Sequence, residues 1–188
     1  MNGGYKVRGK KTHALSVKSK QKIFIAAMQL MQEKDYEAIS IGELSTRAGV
    51  DRRTFYRHFN SKEEIAQLII DEAFNKYEEY LRTLPQLEIY TVCKGFFEML
   101  LQYKVPLTLL NRQGLLDIVY RSYMQNFSRI ARMAIPETDD EDLMSWELTY
   151  RAEGFWSFTE RWIEEGAKDS PEIMARRIAT IHPSNKQN

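Results

Sequence analysis

Arg52, Arg53, Thr54, Tyr56, Arg57 and His58 stand within one run of seven residues, and no acid follows Asp51 in it. Cations and hydroxyls without a carboxylate to neutralise them suit an anionic partner. An Arg fork matches the O6 and N7 acceptors of guanine in a major groove, and hydroxyls bond phosphate oxygens. Lys62 adds an ammonium where the next helix begins, and backbone N–H groups at a helix start favour phosphate. Phe55 and Phe59, spaced four apart, give the same run an apolar inner face.

Two short elements must position these side chains. Ser40 stands three residues before Glu43, a capping-box spacing. The helix it opens carries Ile41, Leu44 and Ala48 on one side, and Gly49 ends it in the manner of a left-handed cap. Asp51 then caps a second short helix ending near Phe59. Two short helices around a glycine turn describe a helix-turn-helix. The topology alone fits an ordinary αα-corner equally, and the basic face also suits an acidic protein bound by a helical adaptor. The outward chemistry favours DNA.

Around this pair the apolar periodicity predicts further helices. A stripe at Ile23, Ala26, Ala27, Leu30 and Met31 marks one from about Ser16. Ser61 and Glu64 form a second capping-box spacing before a helix from Lys62 to about Arg82, with Ile65, Leu68, Ile69, Ala73, Tyr77 and Tyr80/Leu81 inward. Others are expected at about 87–103, 106–112, 115–133, 141–166 and 171–181, with breaks at Pro106, Gly114, Pro136 and Gly166 to Pro171. No alternating strand pattern is persuasive, so the fold class is all-α with about nine helices.

The 188 residues carry 27 Lys and Arg against 26 Asp and Glu, a net +1 that conceals a strong asymmetry. Residues 1–62 hold 13 basic against 5 acidic side chains, and the rest hold 14 against 21. The basic excess begins in the first dozen residues, read as a flexible extension over 1–15. The single cysteine, Cys93, allows no internal disulfide and points to the cytoplasm. The opening MNGGYKVRGKK lacks the apolar run of a secretory leader. No stretch approaches the 18 apolar residues that a membrane-spanning helix needs.

The segment SIGELSTRAGVDRRTFYRHFNSKEEI, residues 40–65, resembles the N-terminal DNA-binding domain of the tetracycline-repressor (TetR) family of bacterial transcription regulators. The resemblance extends over about residues 18–65. It implies a three-helix DNA-binding domain at 16–62, a connecting helix at 63–84 and a ligand-binding and dimerisation domain at 85–188. It further implies phosphate contacts from Ser40, Thr54, Tyr56 and Lys62, and base reading from Arg52, Arg53, Arg57 and His58. Arg53 departs from the family pattern, where a small residue such as Gly is commoner, and Ser45 stands where Ala is usual. Within this frame Lys6, Arg8, Lys10, Lys11 and Lys18 become an arm adding salt-dependent affinity for DNA.

The stretch 154–175, GFWSFTERWIEEGAKDSPEIMA, resembles the C-terminal region of a subgroup that includes dihydroxyacetone-kinase operon regulators. The helix at 141–166 holds more large apolar surface than one buried face requires, and a dimer interface would use the excess. Phe155, Trp156, Trp162, Ile163, Met174 and Ile178 are the candidates, with a monomeric helical core as the alternative. Phe97, Leu101, Tyr120, Tyr123, Met124 and Phe127 fall on helices that surround an effector cavity in the family, though aromatics at helical spacing also serve simply as core. The expected protein is a homodimeric repressor on a palindromic operator, released by a small-molecule or protein effector; an activator answering to a protein partner is the variant. The three histidines, His13, His58 and His182, lie too far apart in sequence to suggest a metal site or a catalytic triad, and no glycine-rich phosphate loop occurs. No enzyme activity, cofactor, metal or membrane association is therefore expected.

Overall fold

The stripe at Ile23, Ala26, Ala27, Leu30 and Met31 is buried in the computed structural model, which describes residues 5–133 and 140–181, with side chains from residue 17 onward apart from that of Ile69. These residues lie on α1 (Tyr5–Glu33), followed by a single 3-10 turn at Tyr36–Ala38. Next come α2 (Ile41–Ala48), α3 (Arg52–His58), α4 (Glu63–Thr83), α5 (Ile89–Gln102) and α6 (Lys104–Arg112). The order ends with α7 (Leu116–Ala131), α8 (Glu141–Glu164) and α9 (Pro171–Ile181). Nine α-helices and no strand occur among the described residues, as the periodicity predicts. Among them no helix is long and apolar enough to cross a membrane.

Three details differ from the sequence reading. The helix α1 extends back to Tyr5, where an irregular extension was expected. Once packing of the apolar stripe has nucleated a helix, each added residue gains a hydrogen bond, and only Gly9 interrupts a run of fair helix formers. Pro106 breaks nothing. It sits in the first turn of α6, where its missing N–H is not needed. Glu64 accepts from the backbone N–H of Asn60 at 2.8 Å and from its side-chain amide at 3.0 Å, so Asn60, one residue earlier than Ser61, closes the loop before α4.

The chain divides into two compact units, with the boundary after Leu68, inside α4. In the first, α1, α2 and α3 pack together around Ile23, Leu44, Phe55 and Phe59. Each such fully buried side chain contributes about 1.5–3 kcal/mol. In the second, α5 packs along α9, α7 against α8 and α6 against α8. Its centre is an aromatic cluster: Phe96 meets Phe155 edge-on at 4.9 Å, Phe97 meets Trp162 at 5.2 Å, and Tyr123 meets Trp156 at 5.3 Å.

Candidate nucleic-acid interface

The loop from Ser40 to Asp51 fixes how α3 is presented. The capping box forms in full: the Ser40 hydroxyl accepts from the Glu43 N–H at 3.2 Å, and the Glu43 carboxylate accepts from the Ser40 N–H at 2.9 Å. An ion pair with Lys34, reinforced by these Ser40 bonds, holds the Glu43 carboxyl down to about 2. Arg47 grips Glu33 of α1 through both guanidinium ends, at 2.7 and 2.8 Å, tying α2 to α1. Gly49 closes α2 at φ 63°, a left-handed conformation that a side chain disfavours. Asp51 accepts the Thr54 N–H at 2.6 Å, the N-cap bond of α3.

This places Phe55 and Phe59 inward and leaves Arg52, Arg53, Tyr56 and Arg57 exposed. Tyr56 is 56% exposed and stands edge-on to Phe55 at 5.6 Å. The four residues form one outward row, since positions i, i+1, i+4 and i+5 share a helix face. A short helix with such a row can enter a major groove and offer guanidinium forks to base edges. Thr54 is half-buried, and its hydroxyl stands 3.5 Å from the Arg57 guanidinium. Arg52 also leans back over Gly42 of α2, a glycine the sequence reading did not single out. No sequence signal marks it, because its meaning depends on which way Arg52 turns.

Two expected contact residues are placed otherwise. His58 is half-buried, and its Nε2 is enclosed without a hydrogen-bond partner among the described residues, so the ring does not stand with the exposed row. Burial, then the charges of Arg57 and Lys20, lower its pKa. Lys62 turns inward. Its ammonium donates to the carbonyls of Tyr36, Glu37 and Ile39 at 2.7, 3.2 and 3.2 Å and lies 4.4 Å from the Tyr36 ring centre. Three donors meet three acceptors, which leaves none for a phosphate. Lys18 is exposed on α1, while the side chains of Lys6, Arg8, Lys10 and Lys11 lie outside the described residues.

The second unit holds a cavity of about 170 Å³ between residues of α4, α5, α7, α8 and α9. Of the six residues expected to line an effector site, only Phe127 does so. Phe97 and Tyr123 are spent in the aromatic cluster, the Tyr123 hydroxyl donates to the Ala152 carbonyl at 3.0 Å, and the Tyr120 hydroxyl donates to Glu153 at 2.6 Å. Leu101 and Met124 are half-buried and do not reach it. The large rings fill the middle of the unit. The void opens instead where small residues, Val92, Cys93, Ala131 and Gly154, alternate with aromatics.

The expected interface residues are also internal. Trp156, Trp162, Ile163, Met174 and Ile178 are buried within the chain, and Phe155 lines the cavity. The Trp162 indole N–H donates to the Asp169 carbonyl at 2.9 Å, which fastens the turn between α8 and α9. The aromatics of α8 serve two faces. Leu143, Trp146 (69% exposed) and Tyr150 (70% exposed) form the outer one, at i, i+3 and i+7, and Ile173 and Ile181 are the exposed apolar residues of α9.

Comparison with known proteins meets the first unit most directly. Residues 23–69 match the model for bacterial regulatory proteins of the tetR family. Over 80 residues the chain is 31% identical to the HTH-type transcriptional regulator EthR of Mycobacterium tuberculosis, covering 42% of this chain and 37% of that protein. Over 99 residues it is 30% identical to the transposon Tn10 TetC protein of Escherichia coli, covering 52% and 48%. The chain thus matches less than half the length of either relative. Two solved structures share the fold. The dihydroxyacetone kinase operon activator DhaS aligns over 87% of this chain and 93% of its own, with a TM-score of 0.56 and 18% identity. The fatty acid degradation regulator FadR from Bacillus halodurans aligns over 90% and 97%, with a TM-score of 0.57 and 14% identity. With its capped helix-turn-helix at residues 40–59, the chain carries over residues 23–69 a domain of the tetR family of bacterial regulatory proteins.

Proposed function

We propose that the chain is a DNA-binding transcription regulator that acts as a homodimeric repressor in the cytoplasm. The observation that carries this reading is the exposed row Arg52, Arg53, Tyr56 and Arg57, backed by buried Phe55 and Phe59. Arg52, Arg53 and Arg57 read bases, while Tyr56, Thr54 and Ser40 hold phosphates on either side. The basic run from Lys6 to Lys18 adds sequence-tolerant attraction to the same polyanion.

A single helix-turn-helix reads few base pairs, and two related by a dyad read successive half-sites of a palindrome. The outer face of α8, at Leu143, Trp146 and Tyr150, and the exposed side of α9 at Ile173 and Ile181 supply the self-complementary surface for a dimer. An effector in the second unit favours a form whose recognition helices are spaced wrongly for DNA, and linkage requires that it lower DNA affinity by the same factor.

The test is a salt-titrated shift assay on sites selected from random DNA. A palindromic site is expected, with Arg52→Ala, Arg53→Ala and Tyr56→Ala together abolishing specific binding and leaving the dimer intact. Selection that yields no preferred site rejects the regulator reading.

A further inference from the structure

Among the described residues, the cavity in the second unit presents a single charge to whatever fills it. Its walls are mainly Phe74, Phe96, Phe127, Phe155, Phe158 and Ile178. Tyr77 also lines it, but its hydroxyl donates to the Val92 carbonyl at 2.6 Å. Burial pushes the Cys93 thiol up to about 12, so that group stays neutral. Among the described residues no carboxylate lines the cavity. The charge is Arg151 of α8, whose side chain is 39% exposed.

Arg151 is held in a way that leaves it exchangeable. Its Nε and Nη2 both donate to one oxygen of Glu147, at 2.9 and 2.7 Å. Nη1 stands outside that pair, and Glu147 is itself about a third exposed and does not line the cavity. Such a partly exposed i, i+4 pair is worth only about 0.3–0.5 kcal/mol, so a better carboxylate can displace it. A guanidinium is a planar fork that accepts a carboxylate through two parallel hydrogen bonds.

We propose that this cavity binds a small apolar monocarboxylate, its hydrocarbon body among the aromatic walls and its carboxylate on Arg151 in place of Glu147. The volume of about 170 Å³ accommodates a body of one ring with a short substituent, since a cavity of roughly 150 Å³ holds benzene. The proposal deepens the regulator reading by naming the chemical class of its effector. The binding event itself can be measured without DNA.

The experiment is calorimetric titration of the full chain with 4-ethylbenzoate and with its neutral isostere 4-ethylbenzamide. The acid is expected to bind about tenfold more tightly than the amide. Arg151→Gln should bring the acid to the level of the amide and leave the amide unchanged. Glu147→Gln, which removes the competing carboxylate, should tighten the acid, a change that a merely structural pair would not produce. Equal affinity for acid and amide in the wild type overturns the proposal, and so does acid binding that survives Arg151→Gln or the absence of any binding. Failure of the regulator reading appears separately, as an absence of specific DNA binding by the ligand-free chain.

Discussion

The Arg52 guanidinium occupies the space that a side chain on Gly42 would need, with Nη2 2.5 Å from where a Cβ would sit. An exposed arginine of the base-reading helix thus lies across the first turn of α2. Glycine within a helix is worse than alanine by about 0.5–1 kcal/mol. Gly42→Ala should therefore raise the urea midpoint of the chain while weakening its preferred DNA site, because Arg52 must leave its seat. Combined with Arg52→Ala, it should add no further loss of DNA affinity, the non-additivity expected of residues in contact. An undiminished affinity of Gly42→Ala for the selected site would mean that the seat does not matter for DNA.

Lys62 offers a direct contrast between a structural and a DNA-contacting cation. Its side chain is 16% exposed, and its three donors meet the carbonyls of Tyr36, Glu37 and Ile39. Lys62→Met should destabilise the fold by about 1.5–3 kcal/mol, the range for hydrogen bonds to a charged group. Urea unfolding reads this loss. The salt slope of DNA binding should stay constant. A slope reduced by about one would return Lys62 to the phosphates.

The limits of the sequence are clearest at these side chains. Helix-turn-helix geometry depends on neighbours three or four residues apart, so Ser40, Glu43, Gly49 and Asp51 announce it locally, and Phe55 and Phe59 announce its buried face. The direction of a long side chain depends on tertiary neighbours. Nothing near Lys62 in sequence shows that the Tyr36 to Ile39 carbonyls lie within its reach. Likewise α8 carries aromatics all round, so periodicity cannot tell Trp162, which fastens a turn, from Trp146, which faces outward. The cavity was misplaced for a related reason. A void forms where small residues such as Cys93, Ala131 and Gly154 converge from separate helices, and the sequence displays the large residues more loudly than the gaps.

The basic run ahead of Glu33 predicts a purely electrostatic contribution. Each phosphate neutralised adds about 0.9 to the slope of log affinity against log salt concentration. Deleting residues 2–12 removes Lys6, Arg8, Lys10 and Lys11, and should flatten that slope by up to about four units on selected and random DNA alike. The preferred sequence should not change. Shift assays across a salt series provide the measurement, and an unchanged slope removes the arm from the interface.

Trp162 and Trp146 should separate core from interface. Trp162 is buried and hydrogen-bonded, so Trp162→Ala should destabilise the chain by about 3–5 kcal/mol. Trp146→Ala removes an exposed ring and should change the stability of the individual subunit by less than about 0.5 kcal/mol. Its effect should appear as weaker self-association in sedimentation equilibrium. Self-association unaltered in Trp146→Ala, and likewise in Tyr150→Ala, would place the dimer surface elsewhere.

His58 makes stability depend on pH in a window of its own. Its folded pKa lies below the ordinary 6.5, chiefly through burial and then through Arg57 and Lys20. Below pH 6.5 the unfolded chain therefore takes up a proton that the folded chain resists, and stability falls as pH falls. Glu33, Glu43, Asp51, Glu63 and Glu64 are also held below their ordinary values. Their loss has the same sign but begins only near the usual carboxylate range, at about pH 4.5 and below. Urea midpoints measured from about pH 7 to about pH 5 should decline for the wild type and decline less for His58→Leu, whose side chain fills the same site without titrating. His13 and His182 are present in both proteins, so the difference between the two curves isolates His58. Parallel curves across that window would show that the His58 imidazole gains its proton as readily in the folded chain as in the unfolded one.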